Sequence, residues 1–221
     1  MTDARPAPAG APVAEIRLLA LGDSYTVGEG VTVDERWPSR LVAMMQARGV
    51  ASTAPTIVAR TGWTTDELSA GLDAAKLVGS YDLVTLLIGV NNQYRERHAE
   101  EYRAQFRHLV SRAVGLAGNR PDRVIVLSIP DWGVTPFAAL DGARDRRRIA
   151  GEIDAFNAIN RDEAVRVGAR YVEVTHVSRR AAEEQELLAG DGLHPSGRMY
   201  AEWAKLILPQ ALEAVGLRTS R

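Results

Sequence analysis

Five short apolar runs, spaced along the chain and mostly stopped by a glycine or a proline, constrain this sequence more than any other feature. They are Ile16–Leu21, Thr56–Ala59, Asp82–Ile88, Arg123–Ile129 and Ala169–Val174, with Thr56–Ala59 the weakest. Nearly continuous Val, Ile and Leu suit strands covered on both faces, as in a parallel sheet. The intervals carry helical spacing instead. Asp34–Arg48 places Trp37, Leu41, Met44 and Met45 on one face, and Thr65–Leu77 follows a Thr64 or Thr65 cap. Glu96–Leu116 presents Tyr102, Phe106, Leu109 and Val110, while Arg146–Val167 presents Ile149, Ile153, Phe156 and Ile159. A last helix is expected from Ser196 to about Leu212, bent or shortened by Pro209.

This alternation predicts an α/β fold, a three-layer α/β/α sandwich around a five-stranded, mainly parallel sheet. The 221 residues suit one such domain, and no repeat or long linker divides them. The expected boundaries are a flexible N-terminal extension over residues 1–14, which holds three of the ten prolines, and one domain over 15–221.

Composition removes several chemistries. The chain has no cysteine, which excludes disulfides, thiolate catalysis and cysteine-held metal. Its histidines are His98, His108, His176 and His194, too few for a rich metal cluster. Lys plus Arg is 27 against 28 Asp plus Glu, and this balance gives no support for a polyanion-binding surface. The arginines at 144 and 146–148 read as the solvated start of a helix, and Glu183, Glu184 and Glu186 as an exposed face. No stretch reaches about 18 apolar residues, and the N-terminus lacks the apolar core of a signal peptide. The expectation is a cytoplasmic protein with no nucleic-acid partner and no integral membrane segment; its oligomeric state is not legible.

Function is expected in the loops beyond the strand C-termini. The first run delivers Gly22–Asp23–Ser24–Tyr25, whose serine stands at a strand-to-helix junction. Taken alone, this segment reads more readily as a turn or N-cap serine than as a nucleophile, and it is neither a G-x-S-x-G elbow nor a phosphate-binding loop. Asp191–Gly192–Leu193–His194–Pro195 changes the weighting by placing an acid and an imidazole three residues apart. His194 can accept the Ser24 proton while Asp191 fixes the ring and its charge. An Asx-turn and an exposed turn histidine explain the same residues without chemistry. Gly62 can bring its backbone N–H close to a bound ester oxygen, and the Asn91 amide suits developing negative charge. A turn glycine and a capping asparagine are the plainer readings.

Together the four segments resemble the SGNH, or GDSL-like, hydrolase superfamily. Gly22 to Tyr25 resembles its first block, Gly62 its glycine block, Gly89–Val90–Asn91–Asn92 its G-x-N-D block and Asp191 to Pro195 its D-x-x-H-P block. The blocks run from residue 22 to 195 and lie in order after successive strands. The resemblance implies a flavodoxin-like fold and ester hydrolysis through an acyl-enzyme. It implies Ser24, Asp191 and His194 as the catalytic residues. It also implies an oxyanion hole of the Ser24 and Gly62 N–H groups with the Asn91 side chain. Neither a metal nor an organic cofactor is required, and Asp23 is implied to organise the loop. Two positions depart from the pattern: Tyr25 stands for the usual leucine and Asn92 for the common aspartate.

The candidate substrate pocket comprises Tyr25, Trp63, Asn92, Tyr94, Trp132 and His176. The expected substrate is a small-molecule ester with a short acyl or acetyl group, acetylated carbohydrate included. A lysophospholipase, an acyl-thioester hydrolase and an inactive α/β binding domain are the alternatives.

Overall fold

The computed structural model describes residues 15–141 and 145–217, so the expected extension over residues 1–14 lies outside the described residues, as does Arg144. The first half of the chain forms β1 (Leu18–Gly22), α1 (Ser24–Val27), α2 (Trp37–Gln46), β2 (Thr56–Ala59), α3 (Thr65–Ala74), β3 (Leu83–Leu87), α4 (Val90–Tyr94) and α5 (Ala99–Leu116). The second half adds β4 (Val124–Leu127), α6 (Pro136–Asp141), α7 (Arg146–Val167), β5 (Arg170–Val172), α8 (Thr175–Arg179) and α9 (Gly197–Ala214).

The strands make one parallel sheet in the order β2-β1-β3-β4-β5. Every residue of β1, β3 and β4 is buried, whereas β2 and β5, at the sheet edges, are only partly covered. That gradient is why the central strands stand out in the sequence and Thr56–Ala59 does not. Helices α2 and α9 pack together over one face, and α3, α5 and α7 cover the other. Trp37 is fully buried, as its helical spacing implied, and so is Trp203 on α9. Glu163 on α7 is buried and accepts hydrogen bonds from Arg103 and Arg107 of α5 and from Arg166, tying the two helices together.

Several helix expectations change: Asp34–Arg48 contracts to Trp37–Gln46 and Thr65–Leu77 to Thr65–Ala74. The last helix runs through Pro209 to Ala214 and is not shortened. Pro209 and Lys205 both lie on the exposed face, so the carbonyl deprived of its partner meets water. The helix expected from Glu96 begins at Ala99, because Glu96 sits at φ 53°, outside the helical region. No helix among the described residues is long and apolar enough to cross a membrane.

Because all five strands point the same way, their following loops open on one edge of the sheet. Strand β1 connects to β2 on one side and the chain then crosses to β3 on the other, so β1 and β3 flank the topological switch point. Gly22 closes β1 where a Cβ would lie 2.4 Å from the Leu87 carbonyl, so only glycine lets β1 approach β3 this closely.

Candidate active site

Ser24 opens α1 directly beyond β1. Asp23 caps this single turn, its Oδ1 accepting the Tyr25 N–H at 3.0 Å, and Gly28 ends it in a left-handed conformation. The turn holds Ser24 at the first helical position, where its N–H has no partner among the described residues. Asp23 itself is fully buried and its Oδ2 has no partner among the described residues. Burial pushes its carboxyl up to about 7, against the lowering effect of the Tyr25 N–H.

That shift has a thermodynamic consequence. A carboxyl raised from 3.8 to about 7 on folding stabilises the native state below the unfolded value and loses that contribution as pH rises through 7. Asp23→Asn keeps an acceptor for the Tyr25 N–H and removes the titration. The variant is expected to gain stability relative to the wild type between pH 4 and 7, at a slope approaching about 1.4 kcal/mol per pH unit. Urea melts at several pH values measure it; parallel pH profiles for the two proteins would contradict the assignment.

The second contribution is the turn before α9. Asp191 Oδ1 accepts the N–H groups of Leu193 and His194, both at 2.9 Å, and Oδ2 meets His194 Nδ1 at 2.7 Å. One carboxylate thus shapes the turn and orients the ring. Partial burial acts to raise the Asp191 carboxyl. It is outweighed by the hydrogen bonds from the His194 ring and from the two N–H groups, and the carboxyl lies below its ordinary value. With Nδ1 engaged, Nε2 is the ring nitrogen left for chemistry.

Gly62 and Asn91 complete the set. Gly62 lies beyond β2 at φ 84°, a conformation that favours glycine, and its N–H has no partner among the described residues. Asn91 is carried on α4 beyond β3, and its Nδ2 donates to the Trp63 carbonyl at 3.0 Å, leaving a second N–H on the same nitrogen.

These groups converge. Ser24, Gly62, Asn91 and His194 all border one cavity of about 190 Å³, whose wall is otherwise mainly apolar. Residues 20–202 match the sequence profile of the GDSL-like lipase/acylhydrolase family. The chain belongs to that family. It is accordingly a carboxylic ester hydrolase. No curated protein sequence matches it. Among solved structures it resembles TesA, with a TM-score of 0.70 at 17% identity over 90% of this chain and 99% of the other. It resembles the lipase/acylhydrolase from Enterococcus faecalis, with a TM-score of 0.67 at 19% identity over 93% and 100%. Axe2, an acetylxylan esterase from Geobacillus stearothermophilus, gives 0.65 at 19% identity over 93% and 97%. At these identities the likeness shows the fold of this GDSL-like hydrolase.

The pocket residues divide. Tyr25, Tyr94 and Trp132 border the cavity. Trp132 is fixed there by donating from Nε1 to Gln93 Oε1 at 2.7 Å, and its ring meets Tyr94 edge-on at 5.3 Å between centroids. Tyr25 lies 5.5 Å from the His194 ring, and burial, followed by the negative charges of Asp23, Asp131 and Asp191, keeps its phenol well above the ordinary value and therefore neutral. Trp63, Asn92 and His176 do not border the cavity, which corrects their assignment. Trp63 is turned onto α3, where a Cβ on Gly71 would touch its ring. Asn92 is buried, accepting the Thr65 N–H at 3.0 Å and donating to Thr65 Oγ1 at 2.7 Å. Asn92 thus uses both ends of its amide on Thr65, one accepting and one donating. His176 pairs with Glu173 in a separate polar cleft beside β5.

Thr61, Val90, Phe137 and Leu193 also border the cavity. The first two and Leu193 adjoin residues already singled out. Phe137 is carried by α6, whose signal was Thr135–Pro136, a capping residue followed by proline at the first helical position.

Proposed function

We propose that this hydrolase cleaves esters of short acyl groups, acetyl esters included, through an acyl-enzyme formed on Ser24. The observation that carries the reading is the meeting, at one cavity, of Ser24 with an imidazole whose Nδ1 is already held by a carboxylate. Ser24 Oγ attacks the ester carbonyl while its proton passes to His194 Nε2, and Asp191 stabilises the imidazolium that results. The N–H groups of Ser24 and Gly62 and the Asn91 side chain receive the oxyanion. Collapse of the tetrahedral adduct breaks the ester C–O bond, and His194 protonates the departing alkoxide. Water, deprotonated by His194, then attacks the acyl-enzyme and releases the acid and free Ser24.

The size and lining of the cavity support a short acyl group. Sites for drug-sized ligands run from about 300 Å³ upward, whereas this one is about 190 Å³ and walled by Tyr25, Tyr94, Trp132 and Phe137. Acetylated carbohydrate fits the same reading, and Axe2, which shares the fold, is an acetylxylan esterase.

A fluorophosphonate probe tests the nucleophile. The wild type is expected to be labelled once, at Ser24, and Ser24→Ala to remain unlabelled. Labelling of both proteins, or of neither, would reject the assignment, the latter in favour of a domain without productive geometry. A series of aryl esters run beside acetylated sugars, lysophospholipid and acyl thioesters tests the substrate, with the optimum expected at or below about four acyl carbons. Faster turnover of lysophospholipid or of a long-chain thioester would replace the short-ester reading.

A further inference from the structure

The two loops read as supplying the oxyanion donors are fastened to each other by successive contacts. The Gly62 carbonyl accepts from Arg95 NH2 at 2.7 Å, the Trp63 carbonyl accepts from Asn91 Nδ2 at 3.0 Å, and the Thr65 N–H donates to Asn92 Oδ1 at 3.0 Å. Residues 62, 63 and 65 of one loop thus meet residues 95, 91 and 92 of the other. Arg95 also follows α4 as its C-cap, its own N–H donating to the Asn91 carbonyl at 3.0 Å. Its other guanidinium nitrogen, NH1, lies 3.3 Å from both carboxylate oxygens of Glu67, and that carboxylate accepts the Thr64 N–H at 2.8 Å.

We propose that Arg95 is a positioning residue for the oxyanion hole, holding Gly62 and Asn91 in register; the inference rests on the oxyanion reading given above. Arg95 does not border the cavity, so it acts through the groups it grips. At φ 84° the Gly62 backbone has no side chain of its own to lock it, and the Arg95 contact to its carbonyl is a charge-assisted hydrogen bond that restrains the peptide following it. The same residue terminates the helix that presents Asn91. A donor set that must not reorganise as charge develops depends on such restraint. The Arg95 side chain is 43% exposed and Glu67 40%, so the ion pair between them contributes little to folding and the arginine can be removed without opening a buried hole.

The test measures kcat, KM, thermal midpoint and affinity for a boronic acid, which forms a tetrahedral adduct with a serine nucleophile, in Arg95→Ala and Arg95→Lys. Arg95→Ala is expected to lower kcat by about tenfold to a hundredfold with little change in KM, and to weaken boronate binding in parallel. Affinity for the product carboxylate and the thermal midpoint should stay near wild type. Added ethylguanidinium should recover part of the kcat, and Arg95→Lys should fall between the two proteins, because an ammonium can reach the Gly62 carbonyl but cannot bridge it to Glu67 with a planar fork. A kcat within about twofold of wild type would overturn the inference. So would equal losses of boronate and product affinity, or a loss of activity that follows a lowered thermal midpoint and is not rescued. Asn91→Ala, run alongside, separates the two levels. If it keeps wild-type kcat, the oxyanion reading itself fails; if it is crippled and Arg95→Ala is not, only the role of Arg95 fails.

Discussion

Replacing His194 by alanine is expected to lower kcat about a million-fold while the protein stays folded, the scale found when either the base or the nucleophile of a serine hydrolase is removed alone. The fold should persist because backbone contacts, not the imidazole, shape its turn. The Ala189 N–H donates to the His194 carbonyl at 2.7 Å, the His194 N–H donates to Asp191, and Leu188 bridges to Pro195. Among the described residues no other histidine borders the cavity, and His176 is engaged by Glu173 in a different cleft. In the proposed mechanism Ser24 and His194 form one proton-transfer unit, so the double variant Ser24→Ala/His194→Ala should be no slower than either single one. Steady-state rates on an aryl acetate, with circular dichroism and a thermal melt as fold controls, decide the matter. Activity within about tenfold of wild type in a folded His194→Ala protein would mean that another base serves Ser24.

The strands and the long helices were legible because burial on both sides leaves an unbroken apolar run and burial on one side leaves a period. Arg146–Val167 was readable to the residue, having Asp145 as a side-chain cap at its start and Gly168 in a left-handed turn at its end. The short helices α4, α6 and α8 leave no helical pattern in the sequence, since one turn is too short to show a period. That gap is also why the pocket assignments divided. On α4, neighbouring side chains point about 100° apart, so Val90, Asn91 and Tyr94 border the cavity while Asn92 turns into the protein. His176 follows a strand, as Ser24 and Asn91 do. Its strand is β5, three positions from β1 in the sheet, which at about 4.8 Å per step is roughly 14 Å from the strand that carries Ser24. Sequence order identifies which loops share an edge of the sheet; strand order, which the sequence does not print, decides which of them meet.

Asp191→Asn is expected to cost about three to four orders of magnitude in kcat, and to be at least as damaging as Asp191→Ala although it changes shape far less. The reason lies in how fully the carboxylate is used. Oδ1 accepts two backbone N–H groups and Oδ2 faces His194 Nδ1, so each of these three partners of the carboxylate is a donor. An amide can satisfy only part of that environment. With its oxygen on the backbone side, its NH2 points at Nδ1 and forces that nitrogen to accept, which moves the ring proton to Nε2 and leaves nothing to take the Ser24 proton. With the amide turned over, the ring keeps its tautomer, but the NH2 is driven against the Leu193 and His194 N–H groups and the turn must open. Asp191→Ala removes the orienting charge without imposing the wrong tautomer. Asp191 is partly exposed, with 39% of its side chain accessible, so solvent screens the lost charge more than in a buried triad and the tautomer effect dominates. Nitrogen-15 spectra of the imidazole, recorded with the kinetics, should show Nε2 protonated in Asp191→Asn at a pH where the wild type carries its proton on Nδ1. An Asp191→Asn protein that retained more than about a tenth of wild-type kcat would show that Asp191 only shapes the turn and does not govern the ring.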